Sequence, residues 1–281
     1  MKANLTIFAT YWNEKDWIEA SLAQIDALNP KEVWIVDGCF DTRFENRSTD
    51  GTREIIESWT NKHPNAHMIS ALRMSRTKGL WFLFGYGLNW WNWPLRVAMA
   101  MFYSRTNLYR INQACTFSQL IRVATYNKPS DWIMHCDADQ FYPDEMIKKI
   151  KEILNNPTNE DELITAKEMT FFHDFNHYTD EYEKRDYNNM PYRLNKRTII
   201  VPTRDIVTEK YPKPLVYGKD KNIKKVSVGT YMHYKFRPND KERLEAGYSV
   251  GDRKKPSEEY NELTFNGEHP SIIQNHFTDA R

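Results

Sequence analysis

The sequence predicts an α/β protein with a mostly parallel central sheet flanked by helices. Strand-like and helical segments alternate through the first 155 residues, and short turns rather than long linkers join them. Acidic or polar residues follow several of the strand-like runs. Alternating strands and helices with short connections are typical of parallel sheets, and such sheets bind ligands at the carboxyl ends of their strands. We therefore expect the functional residues at those ends.

The first strand is predicted at residues 4–9, which are mainly β-branched, aromatic or small. A helix should follow, with Asn13 as its N-terminal cap and an end at Asn29. Apolar residues recur at helical spacing between these two positions. The second strand, residues 32–36, is a short apolar run that ends at Asp37.

The later elements follow the same rules with decreasing regularity. The predicted order is a helix after residue 52, a strand at 66–72, a helix at 112–125, a strand at 131–136, a helix after Pro143, strands at 163–172, 198–201 and 225–231, and a charged helix at 240–246. No repeat or linker is evident. We therefore predict one domain over residues 1–281, with a regular half at 1–155 and an elaborated half at 156–281.

Composition and charge restrict the function classes. The formal charge is +1, from 39 Lys and Arg against 38 Asp and Glu, which argues against a nucleic-acid partner held by bulk electrostatics. Aromatic residues make up 14% of the chain and suit either a packed core or a groove that stacks sugar rings. Three scattered cysteines without a Cys-x-x-Cys pair predict neither disulfides nor zinc, and they indicate a reducing, cytoplasmic location.

Residues 79–102 are apolar enough to raise the question of a membrane span. Three polar residues and a proline interrupt this segment, so a spanning helix is rejected. A buried helical hairpin is predicted, with contact to a membrane surface or an acceptor as the alternatives. The tryptophans that are candidates for stacking on acceptor sugars are Trp81, Trp90, Trp91 and Trp93.

The strongest chemical pattern is Asp137-Ala138-Asp139, which follows an apolar strand and precedes a helix. Two carboxylates at a strand end can approach one ligand if the backbone turns there. Carboxylate oxygens are hard ligands that suit Mg²⁺ or Mn²⁺, and such ions bind one or two carboxylates together with substrate phosphate oxygens. An ordinary turn with an acidic helix cap is the alternative interpretation.

Together with three earlier stretches, this pattern resembles the family 2-type glycosyltransferases, which have the GT-A fold. The four stretches are residues 9–14 (ATYWNE), 36–38 (VDG), 48–52 (STDGT) and 137–139 (DAD). Their order and approximate spacing match over residues 1 to about 155. The sequence departs from the family at residues 39–47, which separate two stretches that are nearly contiguous there. This departure favours Asp37 over Asp50 as the nucleotide contact.

The resemblance implies a metal-dependent transferase that moves a sugar from a nucleoside-diphosphate-sugar donor, with UDP-sugar as the first expectation. By position, Thr10 and Tyr11 would lie against the nucleobase and Asp37 would bind base or ribose. Asp137 would face the ribose or the metal, and Asp139 would hold Mn²⁺ or Mg²⁺ against the diphosphate. For Tyr11, a place in the core is an equal alternative.

Enzymes of this resemblance often have a second metal ligand far downstream, commonly a histidine. His233 is the candidate, because it ends an apparent strand and precedes Lys235 and Arg237, two cations that suit a diphosphate. Arg193 is expected to clamp phosphate or, alternatively, to pair with a surface acid. The weaker histidine candidates are His173, His177 and His269.

The resemblance also implies inversion, with an Asp or Glu that deprotonates the acceptor hydroxyl. Asp174 is the candidate base, because it follows a predicted strand between aromatic residues and partial burial would raise its pKa. The alternatives are Glu168, Asp180, Glu181 and Asp205.

The predicted function is therefore transfer of a sugar to a hydroxyl of a glycan, a lipid-linked sugar or a small molecule, with residues 1–155 binding the donor and 156–281 serving the acceptor. Two alternatives remain: a non-catalytic carbohydrate-binding protein, and a nucleotidyltransferase that uses a related sheet. The nucleotidyltransferase would normally show a Gly-rich basic loop near the first strand, and residues 9–14 contain neither Gly nor Lys.

Overall fold

The computed structural model describes residues 2–86, 97, 100–127, 130–171, 174–179, 190–193, 199–200, 206–207, 223–235 and 262–280. Its centre is a mixed β-sheet flanked by helices. The strands are β1 (Ala3–Tyr11), β2 (Pro30–Asp37), β3 (Ala66–Ser70), β4 (Trp132–Cys136), β5 (Gln140–Phe141), β6 (Leu163–Phe171), β7 (His177–Thr179), β8 (Tyr192–Arg193), β9 (Ile199–Ile200), β10 (Ile206–Val207), β11 (Lys225–Tyr234) and β12 (Glu262–Thr264). The α-helices are α1 (Ile18–Leu28), α2 (Thr52–Lys62), α3 (Arg76–Tyr86), α4 (Leu108–Asn127), α5 (Asp144–Asn155) and α6 (Ser271–His276).

The direction of the strands decides where the site lies. β1 is parallel to both β2 and β4, and β2 is parallel to β3. The two-residue strand β8 is antiparallel to β4 and to β6, so β4 and β6 run the same way, and β11 is parallel to β6. The carboxyl ends of β1, β2, β3, β4, β6 and β11 therefore share one edge of the sheet, which we name the carboxyl edge.

The sheet is less uniform than the sequence predicts. Parallel pairing holds for β3-β2-β1-β4 and for β6 with β11, whereas β5, β7, β8 and β12 pair antiparallel with their neighbours. Of these antiparallel strands, β7, β8 and β12 come from the predicted second half, whereas β5 lies in the first half, between β4 and α5. The sheet is thus mixed rather than mostly parallel.

Alternation along the first strand explains its burial on both faces. Ile7 and Tyr11 pack into one apolar cluster together with residues of α1 and α5, whereas Phe8 points to the other face and packs with Phe117 of α4. A parallel strand that is covered by helices on both faces has a nearly continuous run of apolar residues in its sequence, and β1 has such a run.

The predicted strands and helices of the first half are present, with bounds that differ by a few residues. The predicted cap is wrong: α1 begins at Ile18 after Trp17, and Asn13 adopts a left-handed φ of 51°. The Asn13 side chain instead accepts a hydrogen bond from the N–H of Thr49 at 2.8 Å. Helix α3 covers the start of the helical hairpin predicted at 79–102 and begins three residues earlier. The helix predicted at 240–246 lies outside the described residues.

The segment at 39–47, which interrupts the resemblance, forms a closed loop. The backbone N–H of Cys39 donates to the carbonyl of Asn46 at 2.9 Å, so the two ends of this loop lie beside each other. The N–H of Ser48 then donates to Asp37 Oδ1 at 3.1 Å. Residues 48–52 consequently lie beside the end of β2 despite the interruption.

Gly38 lies where the end of β2 meets the chain after β3. A Cβ at this position would lie 2.8 Å from Ala71 Cβ and 2.9 Å from the Ala71 backbone nitrogen. We expect Gly38→Ala to lower the free energy of unfolding by about 1–3 kcal/mol, measured by urea denaturation. Combining it with Ala71→Gly should restore only part of the loss, because the backbone nitrogen remains. An unchanged stability for Gly38→Ala would contradict this close contact.

Candidate functional site

The carboxyl edge collects most of the predicted site residues. Asp37 ends β2, Asp137 follows β4, and His233 is the penultimate residue of β11. Asp174 lies three residues beyond the end of β6, and Lys235 follows β11. Residues that are far apart in sequence thus meet at one edge because their strands run in the same direction.

Asp139 and His233 are in direct contact at this edge. The Nε2 atom of His233 lies 3.3 Å from Asp139 Oδ1, and both side chains are mostly buried. Local pairing brings them together: β11 runs antiparallel to β5, with His233 opposite Gln140, and the N–H of Tyr234 donates to the Asp139 carbonyl at 2.8 Å. The same turn holds Asp137, whose Oδ2 accepts a hydrogen bond from Gln140 Nε2 at 3.2 Å.

A buried carboxylate behind His233 completes this cluster. The Nδ1 atom of His233 lies 2.8 Å from Glu168 Oε1, and the Tyr231 hydroxyl donates to Glu168 Oε2 at 2.6 Å. The Thr170 hydroxyl also donates to Oε1, at 2.7 Å, and Lys235 Nζ lies 3.6 Å from the same oxygen. Glu168 therefore fixes the ring so that Nε2 faces Asp139.

These contacts shift both ionisation equilibria. Burial raises the pKa of Glu168, but the positive charges of His233 and Lys235 outweigh it and lower that pKa to about 2. Burial likewise disfavours the charged imidazole, but the carboxylates of Asp139 and Glu168 outweigh it and raise the pKa of His233 to about 9. The proton of the charged His233 ring is thus held between Asp139 and Glu168. The sequence predicts a divalent metal ion at this position.

The donor set fits a hard divalent cation that shares its coordination with a substrate. One carboxylate oxygen and, once the ion displaces the Nε2 proton, one imidazole nitrogen lie close enough to contact the same ion, with the Asp137 carboxylate in the adjoining turn. Among the residues that the structure describes, no group of three or more His, Cys, Asp or Glu side chains could hold a metal ion. The remaining positions would be left to phosphate oxygens and water, as Mg²⁺ sites commonly are.

Asp37 is enclosed at the end of β2, where the sequence predicts a contact with the base or the ribose. Its side chain is fully buried, and its two oxygens accept hydrogen bonds from the Ser48 N–H and from Arg53 Nη1, the latter at 2.9 Å. A carboxylate in this position cannot touch a nucleotide without rearrangement. The predicted nucleotide contact at Asp37 is therefore corrected to an anchor for residues 48–53.

Residues 48–52 hold the backbone that follows β1. Three successive N–H groups of that loop donate to side chains of this segment. The pairs are Asn13 to Ser48 Oγ at 3.0 Å, Glu14 to Thr52 Oγ1 at 2.8 Å and Lys15 to Asp50 Oδ2 at 3.0 Å. These N–H groups consequently have protein partners and do not form an open cradle for phosphate.

The two predicted nucleobase contacts differ in exposure. Tyr11 is buried in the core, shares a hydrogen bond with Ser21 at 2.9 Å, and has a pKa raised by burial. The core alternative is thus the correct one for Tyr11. Thr10 is half-buried at the carboxyl edge.

The phosphate clamp predicted at Arg193 is wrong, because the residue lies at the opposite edge of the sheet. Arg193 pairs with Trp132, the first residue of β4, since β8 runs antiparallel. Its guanidinium donates to the carbonyls of Asn159 and Asp161 and lies 4.6 Å from the Trp132 ring centre. Arg193 therefore joins backbone segments at the amino ends of the strands.

Asp174 has the predicted position but not the predicted pKa. Its side chain is 46% exposed, and it accepts hydrogen bonds from the Asn176 N–H and from the N–H and ring of His177. The small burial raises its pKa, but these hydrogen bonds outweigh it and lower the pKa below the usual value. The expected increase by burial is therefore wrong. The alternatives Asp180, Glu181 and Asp205 lie outside the described residues.

The apolar segment at 79–102 is partly described. Trp81 is 62% exposed and Phe102 is 75% exposed, so the predicted burial is wrong for these two residues, whereas Leu83 and Phe84 of the same segment are buried. Trp90, Trp91 and Trp93 lie outside the described residues. Within the described part of the chain, no helix has the length and apolar character needed to cross a membrane. Cys39, Cys115 and Cys136 are buried and free.

Comparisons with known proteins give partial matches. Neither a known family nor a curated protein matches this chain. The mannosyltransferase PcManGT from Pyrobaculum calidifontis, solved with GDP-Man and Mn²⁺, is 18% identical over 59% of this chain and 36% of that structure, with a TM-score of 0.34. S. aureus TarS 1–349 is 17% identical over 69% of this chain and 47% of that structure, with a TM-score of 0.36. This chain therefore spans roughly a third to a half of the length of these two structures. The functional assignment is based on the residues at the carboxyl edge.

Proposed function

We propose that this protein is a metal-dependent glycosyltransferase with a GT-A-like fold, which moves a sugar from a nucleoside diphosphate to an acceptor hydroxyl with inversion. The observation that carries this proposal is the contact between Asp139 and His233 at the carboxyl edge, with Glu168 behind the ring. An acid and a histidine from distant parts of the chain meet where α/β sheets bind their ligands.

The residues of the site have distinct proposed roles. Asp139 and His233 would hold Mn²⁺ or Mg²⁺, and Asp137 would contact the metal or the ribose. A bound divalent ion would offset the negative charge that develops on the departing diphosphate. Lys235, beside Glu168 at the same edge, would add a positive charge near the phosphates. Thr10 would lie against the nucleobase.

Asp174 is the proposed base. Its lowered pKa leaves the carboxylate ionised at neutral pH, and its exposed side chain follows β6 at the carboxyl edge. Glu168 is unsuited to this role, because it is buried and already accepts hydrogen bonds from three side chains. The acceptor would be a glycan, a lipid-linked sugar or a small molecule.

The geometry counts against one of the two alternatives. A nucleotidyltransferase needs free N–H groups near the first strand to hold a triphosphate, whereas those of residues 13–15 have protein partners. A non-catalytic carbohydrate-binding protein would instead bind sugars without turning over any nucleotide-sugar donor, and sugar binding of that kind without metal dependence would favour this alternative.

The test is calorimetric titration of UDP and of GDP into the protein, with Mn²⁺ and with a chelator. Because the described residues offer few ligands of their own, we expect Mn²⁺ alone to bind weakly and the diphosphate to bind at least about tenfold more tightly when Mn²⁺ is present. The preferred nucleotide would identify the donor, with UDP as the expected one. Equal affinity with and without metal, or no binding of either diphosphate, would overturn the proposal.

A further inference from the structure

A long stretch of the sequence lacks acidic residues. Residues 58–130 contain no Asp or Glu but nine Lys and Arg, so this stretch carries +9 in a chain whose total is +1. The rest of the chain is correspondingly negative, at −8. The near-neutral total therefore conceals a strong separation of charge between two parts of the chain.

The exposed apolar side chains fall in the same stretch. Among the described residues, the large hydrophobic side chains that are exposed are Trp81, Val97, Met101, Phe102 and Tyr126. All except Tyr126 line one open groove of about 730 Å³ between α3 and the described residues 97 and 100–105. Met101 is 71% exposed and Phe102 75%. Exposed apolar side chains gathered at one place usually mark a binding surface.

Two cationic side chains line this groove, and a third is exposed on the adjoining helix. Arg76 and Arg105 line it, and Lys78 is exposed on the same helix as Arg76. Arg76 Nη1 donates to the carbonyls of Ser104 and Thr106, so it also ties the turn after Phe102 to the start of α3. We name the set Arg76, Lys78, Trp81, Val97, Met101, Phe102 and Arg105 the basic apolar surface.

We infer that the basic apolar surface binds the face of an anionic lipid bilayer. Tryptophan and phenylalanine are favoured at the boundary between headgroups and acyl chains, and aliphatic side chains such as Met101 and Val97 can enter the acyl region. Each nearby Lys or Arg adds attraction to anionic headgroups. A nucleic acid would use the cations but would leave the two aliphatic side chains without a stacking partner. This inference does not depend on glycosyl transfer.

The test is co-sedimentation of the purified full chain with vesicles of phosphatidylcholine alone and with vesicles that also contain phosphatidylserine. We expect binding to the anionic vesicles only, weakened by added salt. The double variant Met101→Ser/Phe102→Ser should reduce the partition coefficient at least about tenfold, because two apolar side chains no longer enter the bilayer. Arg105→Glu should reduce it about fivefold or more.

Two matched variants control for exposure and charge. Tyr126→Ser removes a 90% exposed aromatic of the same acid-free stretch that lies outside the groove. Lys148→Glu reverses an exposed charge on α5. Both should bind vesicles like the unaltered chain, and thermal unfolding should show that all four variants are folded.

Three results would overturn the inference. The first is no binding of the unaltered chain to anionic vesicles. The second is equal losses in Met101→Ser/Phe102→Ser and Tyr126→Ser. The third is concentration-dependent self-association in sedimentation, abolished by the double variant in the absence of lipid, which would assign the surface to a second copy of this chain.

Discussion

Replacement of Asp139 by asparagine is expected to weaken Mn²⁺-dependent binding of the nucleoside diphosphate about 100-fold or more, and to abolish sugar transfer. The carboxamide has nearly the same shape as the carboxylate, so it can still contact the His233 ring. It lacks the negative charge that a hard divalent cation requires. Calorimetric titration with Mn²⁺ measures the loss directly, and the binding that remains in chelator should be unchanged.

Asp161→Asn is the matched control for this variant. Asp161 also belongs to a turn next to a strand, but that turn lies at the amino ends of the strands, beside Arg193. Removing its charge should leave metal-dependent binding intact. If Asp139→Asn binds the diphosphate and Mn²⁺ as tightly as the control does, Asp139 is not a metal ligand.

Replacement of Glu168 by glutamine should produce the largest loss of stability, about 3 kcal/mol. The carboxylate accepts hydrogen bonds from Tyr231, Thr170 and His233 in a buried position, and the amide removes one of the two carboxylates that face the charged ring. Metal affinity should also fall, by about 10- to 100-fold, because the ring that bears Nε2 is no longer held. Urea denaturation and metal titration measure the two effects separately.

The same cluster predicts how stability depends on pH in a chelator. The pKa of His233 rises from 6.5 to about 9 in the folded chain, so its contribution is complete below pH 6.5 and is lost as the pH rises through 9. At about 1.4 kcal/mol per pKa unit, this contribution is on the order of 3 kcal/mol. The pKa of Glu168 falls from 4.5 to about 2, so its contribution is present above pH 4.5 and is lost toward pH 2.

Glu168→Gln should flatten both parts of this profile, since it removes the ionisable carboxyl of Glu168 and also one of the carboxylates that raise the pKa of His233. Glu152→Gln, at an exposed position of α5, is the control and should leave the profile unchanged. Stability that stays constant between pH 6.5 and pH 9 in the unaltered, metal-free chain would show that His233 is not held as a charged group.

The parts of the site that could be predicted were those at strand ends. Asp137, Asp139 and His233 each follow or end an apolar run that the sequence shows plainly. Parallel strands end at one edge, so a correct α/β prediction was enough to place these residues together. Asp139 and His233 come into contact because β4 and β11 both end at this edge and because β11 also pairs with the two-residue strand β5.

Residues whose roles depend on tertiary partners could not be predicted in the same way. Arg193 was misplaced because a two-residue antiparallel strand leaves no periodic signal. Tyr11 and Asp37 stand at strand ends, but helix packing and Arg53 enclose them. Glu168 did leave a signal, since strand alternation puts this acid on the same face as Ile164 and Ala166, which are buried. A lone acid among buried neighbours indicates a partner elsewhere in the chain.

The closed loop at 39–46 offers a position for site-specific labelling. Its ends are joined by the Cys39–Asn46 hydrogen bond, and Thr42 at its tip is exposed. The three native thiols are buried, and burial raises the pKa values of Cys115 and Cys136, which keeps those thiols unreactive. A cysteine introduced by Thr42→Cys would therefore be the reactive thiol among the described residues. A fluorophore attached there would sit near the carboxyl edge without disturbing the segment that Asp37 anchors.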